Sequence, residues 1–112
     1  MKFKTLLSAV SLVLAAVVTS LALAGDITWV DVRTADEFKQ QHVDGAVNIP
    51  YEEIDAGIAN LGLEKDSAIY LYCKSGRRAG IAKTSLDALG YTAVVNVGGL
   101  EAALVEAEKT KP

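Results

Sequence analysis

The sequence has a single cysteine, a single histidine and two prolines among 112 residues. One cysteine excludes any disulfide within the chain, so no covalent staple supports the fold. No internal repeat, low-complexity tract or linker divides the chain, and its length suits one small domain. Basic residues are also scarce: eleven Lys+Arg face fourteen Asp+Glu, a formal charge of −3. That balance argues against nucleic acid or an anionic membrane as partner.

Only one long apolar run is present, at the N-terminus. Lys2 and Lys4 precede an apolar stretch from residue 6 to 18, broken by Ser8 and Ser11, and Ala22-Leu23-Ala24 has the small-residue form of a cleavage site. The run is short for a membrane span, which needs roughly 20 residues. The pattern predicts a cleaved signal peptide over residues 1–24, rather than a retained anchor, and a folded domain over 25–112. Removing 24 of 112 residues leaves 88. Losing Lys2 and Lys4 leaves nine Lys+Arg against fourteen Asp+Glu, a charge of −5. A domain this short buries a limited share of its surface, so modest stability is expected.

Within the domain, strand and helix signals alternate. Residues 27–32 read as a short buried strand. Thr34 and Glu37 form a capping-box pattern opening a short helix to about residue 41. Residues 42–45 form a turn, and residues 46–49 a second strand stopped by Pro50. Residues 51–61 have helical spacing at Tyr51, Ile54, Ile58 and Leu61. Residues 67–72 read as a third strand. Residues 79–89 follow as a helix closed by Gly90, then a strand over 92–97. Gly98-Gly99 reads as a tight turn into a last helix, 100–109. The alternation predicts an α/β fold: a mainly parallel central sheet of four to five short strands flanked by helices on both faces. Ligands in such sheets bind beyond the carboxyl ends of the strands.

Cys73 stands at such an end. The β-favouring stretch Ala68-Ile69-Tyr70-Leu71-Tyr72 precedes it, and Lys74-Ser75-Gly76-Arg77-Arg78 leads from it into a helix. Three effects favour its thiolate: inward-pointing loop amides, the positive end of the helix, and the charges of Lys74, Arg77 and Arg78. The thiol pKa is therefore expected below the free value of about 8.5. Gly76 lets the loop close tightly. The same amides suit an anionic substrate. Lys74, Arg77, Arg78 and Lys83 cluster in an otherwise acidic chain, which points to a small anionic ligand. A buried, inert cysteine is the competing reading; the flanking cations and glycine favour the reactive one.

Several segments together resemble the rhodanese-like sulfurtransferases. They are Asp31-Val32-Arg33 with Glu37-Phe38; His42-Val43-Asp44-Gly45-Ala46-Val47-Asn48-Ile49-Pro50; Tyr72-Cys73-Lys74-Ser75-Gly76-Arg77-Arg78; and Gly98-Gly99-Leu100. They occur in family order over nearly the whole domain, and the chain looks most similar to small, single-domain, periplasmic members. Many members carry a further strand and helix ahead of the Asp-Val-Arg segment, so the domain is expected to be short at that end. The resemblance implies that Cys73 takes a sulfane sulfur from thiosulfate as a persulfide and passes it to cyanide or a thiol. Lys74, Ser75, Gly76, Arg77 and Arg78 would bind substrate, with Lys74 the mobile cation at the entrance. It implies no metal and no organic cofactor, because the cysteine carries the sulfur. The export signal points to the periplasm, and a monomer is expected because a thiol set in a pocket is poorly placed to link two chains.

Four residues separate Cys73 from Arg78. Related phosphatase and arsenate reductase domains have one more, which fits a larger tetrahedral oxyanion, so the shorter loop favours sulfur transfer. A non-enzymatic sulfur-relay or binding module is the other alternative. Asp31 and Arg33 are expected as a buried-edge pair supporting the loops near the site. His42 is expected to bond nearby backbone rather than transfer protons. Trp29 is expected in the core or at its rim, Asn48-Ile49-Pro50 at a turn, and Glu52 and Glu53 in solvent. Of two adjacent arginines only one can face inward, with Arg78 toward the loop and Arg77 toward solvent.

Overall fold

The computed structural model describes residues 26–112. The expected signal peptide and its cleavage after Ala24 lie outside the described residues. The elements in chain order are β1 (Ile27–Asp31), α1 (Ala35–Gln40), β2 (Val47–Asn48), a 3-10 turn (Tyr51–Glu53) running into α2 (Ile54–Asn60), β3 (Ala68–Cys73), α3 (Arg77–Ala88), β4 (Val94–Gly99) and α4 (Leu100–Lys109). The four strands form one parallel sheet in the order β2-β1-β3-β4.

Alternation along the strands sends side chains to two separate cores. Val30, Val32, Ile69, Leu71 and Cys73 face the cluster that contains Ile54 and Ile58 of α2 and Ala79, Ala82 and Leu86 of α3. Trp29, Tyr70 and Tyr72 face the other side, with Val43 and with Ala103 and Leu104 of α4. Helices thus cover both faces, as parallel sheets require. Trp29 lies in the core. Chain order reverses between β1 and β3, so their carboxyl ends form the switch point where such sheets bind ligands. Asp31 pairs with Tyr72 there, directly beside Cys73.

The element boundaries shift from the expected ones for local reasons. α1 has the full capping box: the Glu37 amide donates to Thr34 Oγ1 at 3.2 Å, and Glu37 Oε1 accepts from the Thr34 amide at 3.1 Å. The helix expected over 51–61 begins instead as a 3-10 turn after Pro50. The Tyr51 amide donates to Val32 O at 3.1 Å, which ties the first turn to the end of β1. α3 starts at Arg77, two residues early, because the Gly80 amide already donates to Gly76 O at 2.9 Å. It ends as expected: Gly90 has φ +96°, and the amides of Gly90 and Tyr91 bond Asp87 O and Leu86 O at 3.1 Å each.

The largest difference is at β4. Gly98 and Gly99 do not form a turn; they are the last two residues of the strand. Leu71 aligns with Asn96 but Tyr72 with Gly98, so Val97 is an extra residue in a bulge. Cys73 pairs with Gly99 inside the sheet, rather than beyond its end.

Candidate active site

The chain leaves β3 at Cys73, and Lys74 to Gly76 carry it into α3. Gly76 has φ +95°, the left-handed conformation that turns the loop back on the sulfur. Its amide donates to Cys73 Sγ at 2.9 Å. Cys73 is fully buried. Burial pushes its thiol pKa up, but the amides of Ala79, Ser75, Gly76 and Arg78 outweigh it and hold the pKa below the ordinary value. The direction is the one expected, and backbone donors are its main source.

The flanking cations are placed differently from one another. Lys74 and Arg77 are exposed, and Arg78 is half-buried, which matches the expected division between the two arginines. Arg78 grips Glu37 of α1 with both terminal nitrogens, Nη1 to Oε1 at 2.9 Å and Nη2 to Oε2 at 3.1 Å. The hydrogen bond with Glu37 is the main cause of its raised pKa, and the Cys73 sulfur adds to the effect. Glu37 in turn is held down to about 2, first by Arg78 and then by its Thr34 bonds. Arg78 thus ties α1 to the start of α3, near enough for its charge and that of the Cys73 sulfur to interact. Lys83 is apart from this group, paired with Asp87 at 2.7 Å.

Below the loop, Asp31 and Arg33 form the expected pair. Asp31 is 0% and Arg33 6% exposed. Arg33 Nε donates to both Asp31 oxygens at 2.9 and 3.0 Å, and Nη2 donates to Oδ2 and to Gln41 O at 2.6 Å each. The guanidinium carbon lies 5.6 Å from the centre of the Tyr72 ring. Asn48 Nδ2 donates to the carbonyls of Asp31 and Arg33 at 3.0 Å, which fixes the path after β1. The Val43 amide donates to the Tyr72 hydroxyl at 3.0 Å. This lattice joins β1, β2 and the segment after α1 to the strand that ends in Cys73.

A cleft of about 690 Å³ opens beside the loop, between Arg33, Glu37, Gln40, Lys74 and the first turn of α4. His42 does not line it. Its Nδ1 contacts Phe38 O at 2.7 Å and its ring stacks on Phe38 at 3.7 Å, the structural role expected. Another concavity, of about 590 Å³, includes His42 and Trp29 and shares no residue with the first. Glu52 and Glu53 are exposed, as expected.

Three site features escape a reading of the sequence. Glu37 was marked by its capping position and its place in a family segment, but nothing in the sequence pairs it with Arg78. Asn96 donates through Nδ2 to Gly76 O and accepts the Gly98 amide on Oδ1, both at 3.0 Å, but in sequence it is one residue of an unexceptional strand. Gly99 lies against the loop: a β-carbon there would stand 2.5 Å from Lys74 O. The Gly-Gly pair signalled a special backbone, but the turn it suggests is not the reason for it.

A cysteine facing loop amides at the switch point of a parallel sheet places the chain among the α/β domains that carry a cysteine loop at their strand ends. Comparison with known proteins narrows that class. The chain belongs to the rhodanese-like domain family, which matches residues 15–104. It is 42% identical over 86 residues to the thiosulfate sulfurtransferase PspE of Escherichia coli, covering 77% of this chain and 83% of that protein. It is 34% identical to the putative sulfur carrier protein YrkF of Bacillus subtilis, over 60% of this chain and 35% of that protein. A solved rhodanese with anions from E. coli superposes with a TM-score of 0.66 at 42% identity, covering 69% of this chain and 91% of that one.

Proposed function

We propose that this chain is a thiosulfate sulfurtransferase in which Cys73 is the nucleophile and carrier. The observation that carries the reading is the Gly76 amide 2.9 Å from the Cys73 sulfur, inside a loop of four residues before Arg78. The similarity to PspE supports thiosulfate as donor. The likeness to an E. coli rhodanese solved with anions supports an anionic substrate.

The chemistry proceeds in two displacements. The Cys73 thiolate attacks the outer sulfur of thiosulfate, the S–S bond breaks with its electron pair, and sulfite leaves. The persulfide on Cys73 keeps one negative charge, which the amides of Ser75, Gly76 and Arg78 stabilise as they stabilise the thiolate. Cyanide or a thiolate then attacks the terminal sulfur, and the Cys73 thiolate is released. No further electron donor is needed, because the acceptor supplies the electron pair. Lys74, exposed on the cleft wall, draws the dianion in. Arg78 adds its charge at the loop while Glu37 fixes its position. Asp31 and Arg33 keep the end of β1 in register with Tyr72. Cys73 is buried, so the loop must shift to admit thiosulfate to the sulfur.

The similarity to YrkF favours a second reading of the same site, a relay that hands sulfur to a protein thiol rather than to cyanide. We also propose that residues 1–24 export the domain to the periplasm and are then removed, leaving a monomer. Among the described residues no helix is long and apolar enough to cross a membrane.

The test is direct. The purified domain is expected to form thiocyanate from thiosulfate and cyanide, and to gain the mass of one sulfur after thiosulfate alone. Cys73→Ser abolishes both. A Cys73→Ser protein with full activity would refute the assignment. Persulfide formation without thiocyanate turnover would favour the relay.

A further inference from the structure

Asn96 lies on β4, off the Cys73 loop in sequence, and takes no part in the chemistry above. Both ends of its amide are nevertheless committed. Nδ2 donates to Gly76 O at 3.0 Å, and Oδ1 accepts the Gly98 amide at 3.0 Å. Gly76 is the residue whose amide reaches the sulfur. Its left-handed φ of +95° is not held by any side-chain cap, although it stands at the N-cap of α3. Its carbonyl is held from two sides, by the Gly80 amide at 2.9 Å along the helix and by Asn96 across from the sheet. The helix bond fixes the distance to α3, whereas Asn96 fixes the orientation of Gly76 relative to the sheet.

The bulge explains why Asn96 is in place. The extra residue Val97 sets Gly98, not Val97, opposite Tyr72. Asn96 then bridges its own bulge by accepting the Gly98 amide, which locks its side chain against the loop. Gly76 and Gly80 both have the carboxamide within van der Waals distance of where a β-carbon would stand. Two glycines therefore face one asparagine, and the bulge that shapes the strand end also clamps the loop that holds the sulfur.

We propose that Asn96 is a positioning residue for the reactive sulfur: by holding the Gly76 carbonyl against β4, it keeps the Gly76 amide aimed at Cys73 Sγ. The inference rests on Cys73 being the activated nucleophile. The charged groups around Cys73 are Lys74, Arg77 and Arg78, Glu37 bonded to Arg78, and the Asp31–Arg33 pair at the end of β1. None of them is hydrogen-bonded to Asn96, whose two bonds go to backbone. Its effect on the sulfur is therefore geometric.

The test is the pH dependence of Cys73 alkylation by iodoacetamide, on the purified domain and on two variants, each with a thermal melt. Asn96→Ala removes both bonds. Asn96→Asp keeps the acceptor for Gly98 and removes the donor to Gly76, but adds a carboxylate, so its shift is read at high salt, where the charge effect is screened and the geometric part persists. Both are expected to raise the alkylation midpoint by about half a unit or more, since one amide bond to the charged form is lost or misaimed. Wild-type midpoints in either variant would overturn the proposal, even with a lowered melting temperature, because a purely structural asparagine costs stability without moving the thiol. A wild-type midpoint near the free value of about 8.5 would instead overturn the activated cysteine itself.

Discussion

Replacing Gly99 by alanine separates loop geometry from stability. Gly99 has φ −91°, an ordinary conformation for any residue, so alanine adds no backbone strain there. What it adds is a β-carbon 2.5 Å from Lys74 O and 3.3 Å from Lys74 C. Ordinary contact begins near 3.4 Å, so the carbonyl must retreat by about 0.9 Å. That carbonyl belongs to the same peptide plane as the Ser75 amide, one of the donors that hold the Cys73 thiol down. Overpacking of this kind costs roughly 1–3 kcal/mol, which is a fall in melting temperature of about 4 °C or more in a domain this small. A displacement near 1 Å at the reacting group costs about a hundredfold in rate. Thiocyanate formation by Gly99→Ala is therefore expected to drop by about that factor in kcat/KM, with the alkylation midpoint shifted upward. Gly45→Ala is the control. Gly45 has φ +82° and no neighbour within 4 Å of an added β-carbon, so alanine there brings strain of about 1–2 kcal/mol without any contact at the loop. It should lower the melting temperature and leave activity unchanged at a temperature where both proteins are folded. Wild-type kcat/KM in Gly99→Ala would refute the reasoning, as would an equal loss of activity in Gly45→Ala.

Two further perturbations probe the groups around the loop. Asp31→Ala leaves Arg33 buried without its carboxylate, and denaturant unfolding should show a loss of roughly 3–5 kcal/mol. A loss below 1 kcal/mol would mean the pair is dispensable. Glu37, held down to about 2 by Arg78, supplies stability that is complete above its ordinary value of 4.5 and is lost as pH falls from there through about 2. Its side chain is 28% exposed, so solvent screening limits the ion pair to about 1 kcal/mol. Glu37→Gln should therefore melt a few degrees below wild type at pH 7 and level with it near pH 2. A gap that persists at pH 2 would assign the loss to packing rather than charge.

Local chemistry in the sequence was enough for much of the domain. The capping box at Thr34 and Glu37, the Gly90 helix end and the strand–helix alternation depend on neighbours within a few residues, and each is found as expected. Cys73 was legible for the same reason, since a lone thiol between a strand and a Gly-containing basic turn is a local pattern. The Asp31–Arg33 pair was legible because its partners are two residues apart. His42 and the two arginines also follow from short-range constraints.

The contacts that brace the loop around the sulfur join segments far apart in the chain. Glu37 meets Arg78 across 41 residues and Asn96 meets Gly76 across 20. Loop amides, the helix end and the loop cations were all expected to lower the thiol pKa; in the folded domain Lys74 and Arg77 face solvent, and the backbone amides are the main contributors. An amide has no sequence signature; its direction is fixed only when φ and ψ are. The bulge at Val97 that turns Gly98-Gly99 from a turn into the floor of the loop arises from strand pairing, which no single segment specifies. The sequence by itself determined that there is one ionisable thiol at the end of a parallel strand. Only the tertiary structure decided what holds its charge, because hydrogen-bond direction and sheet register depend on segments that meet when the chain has folded.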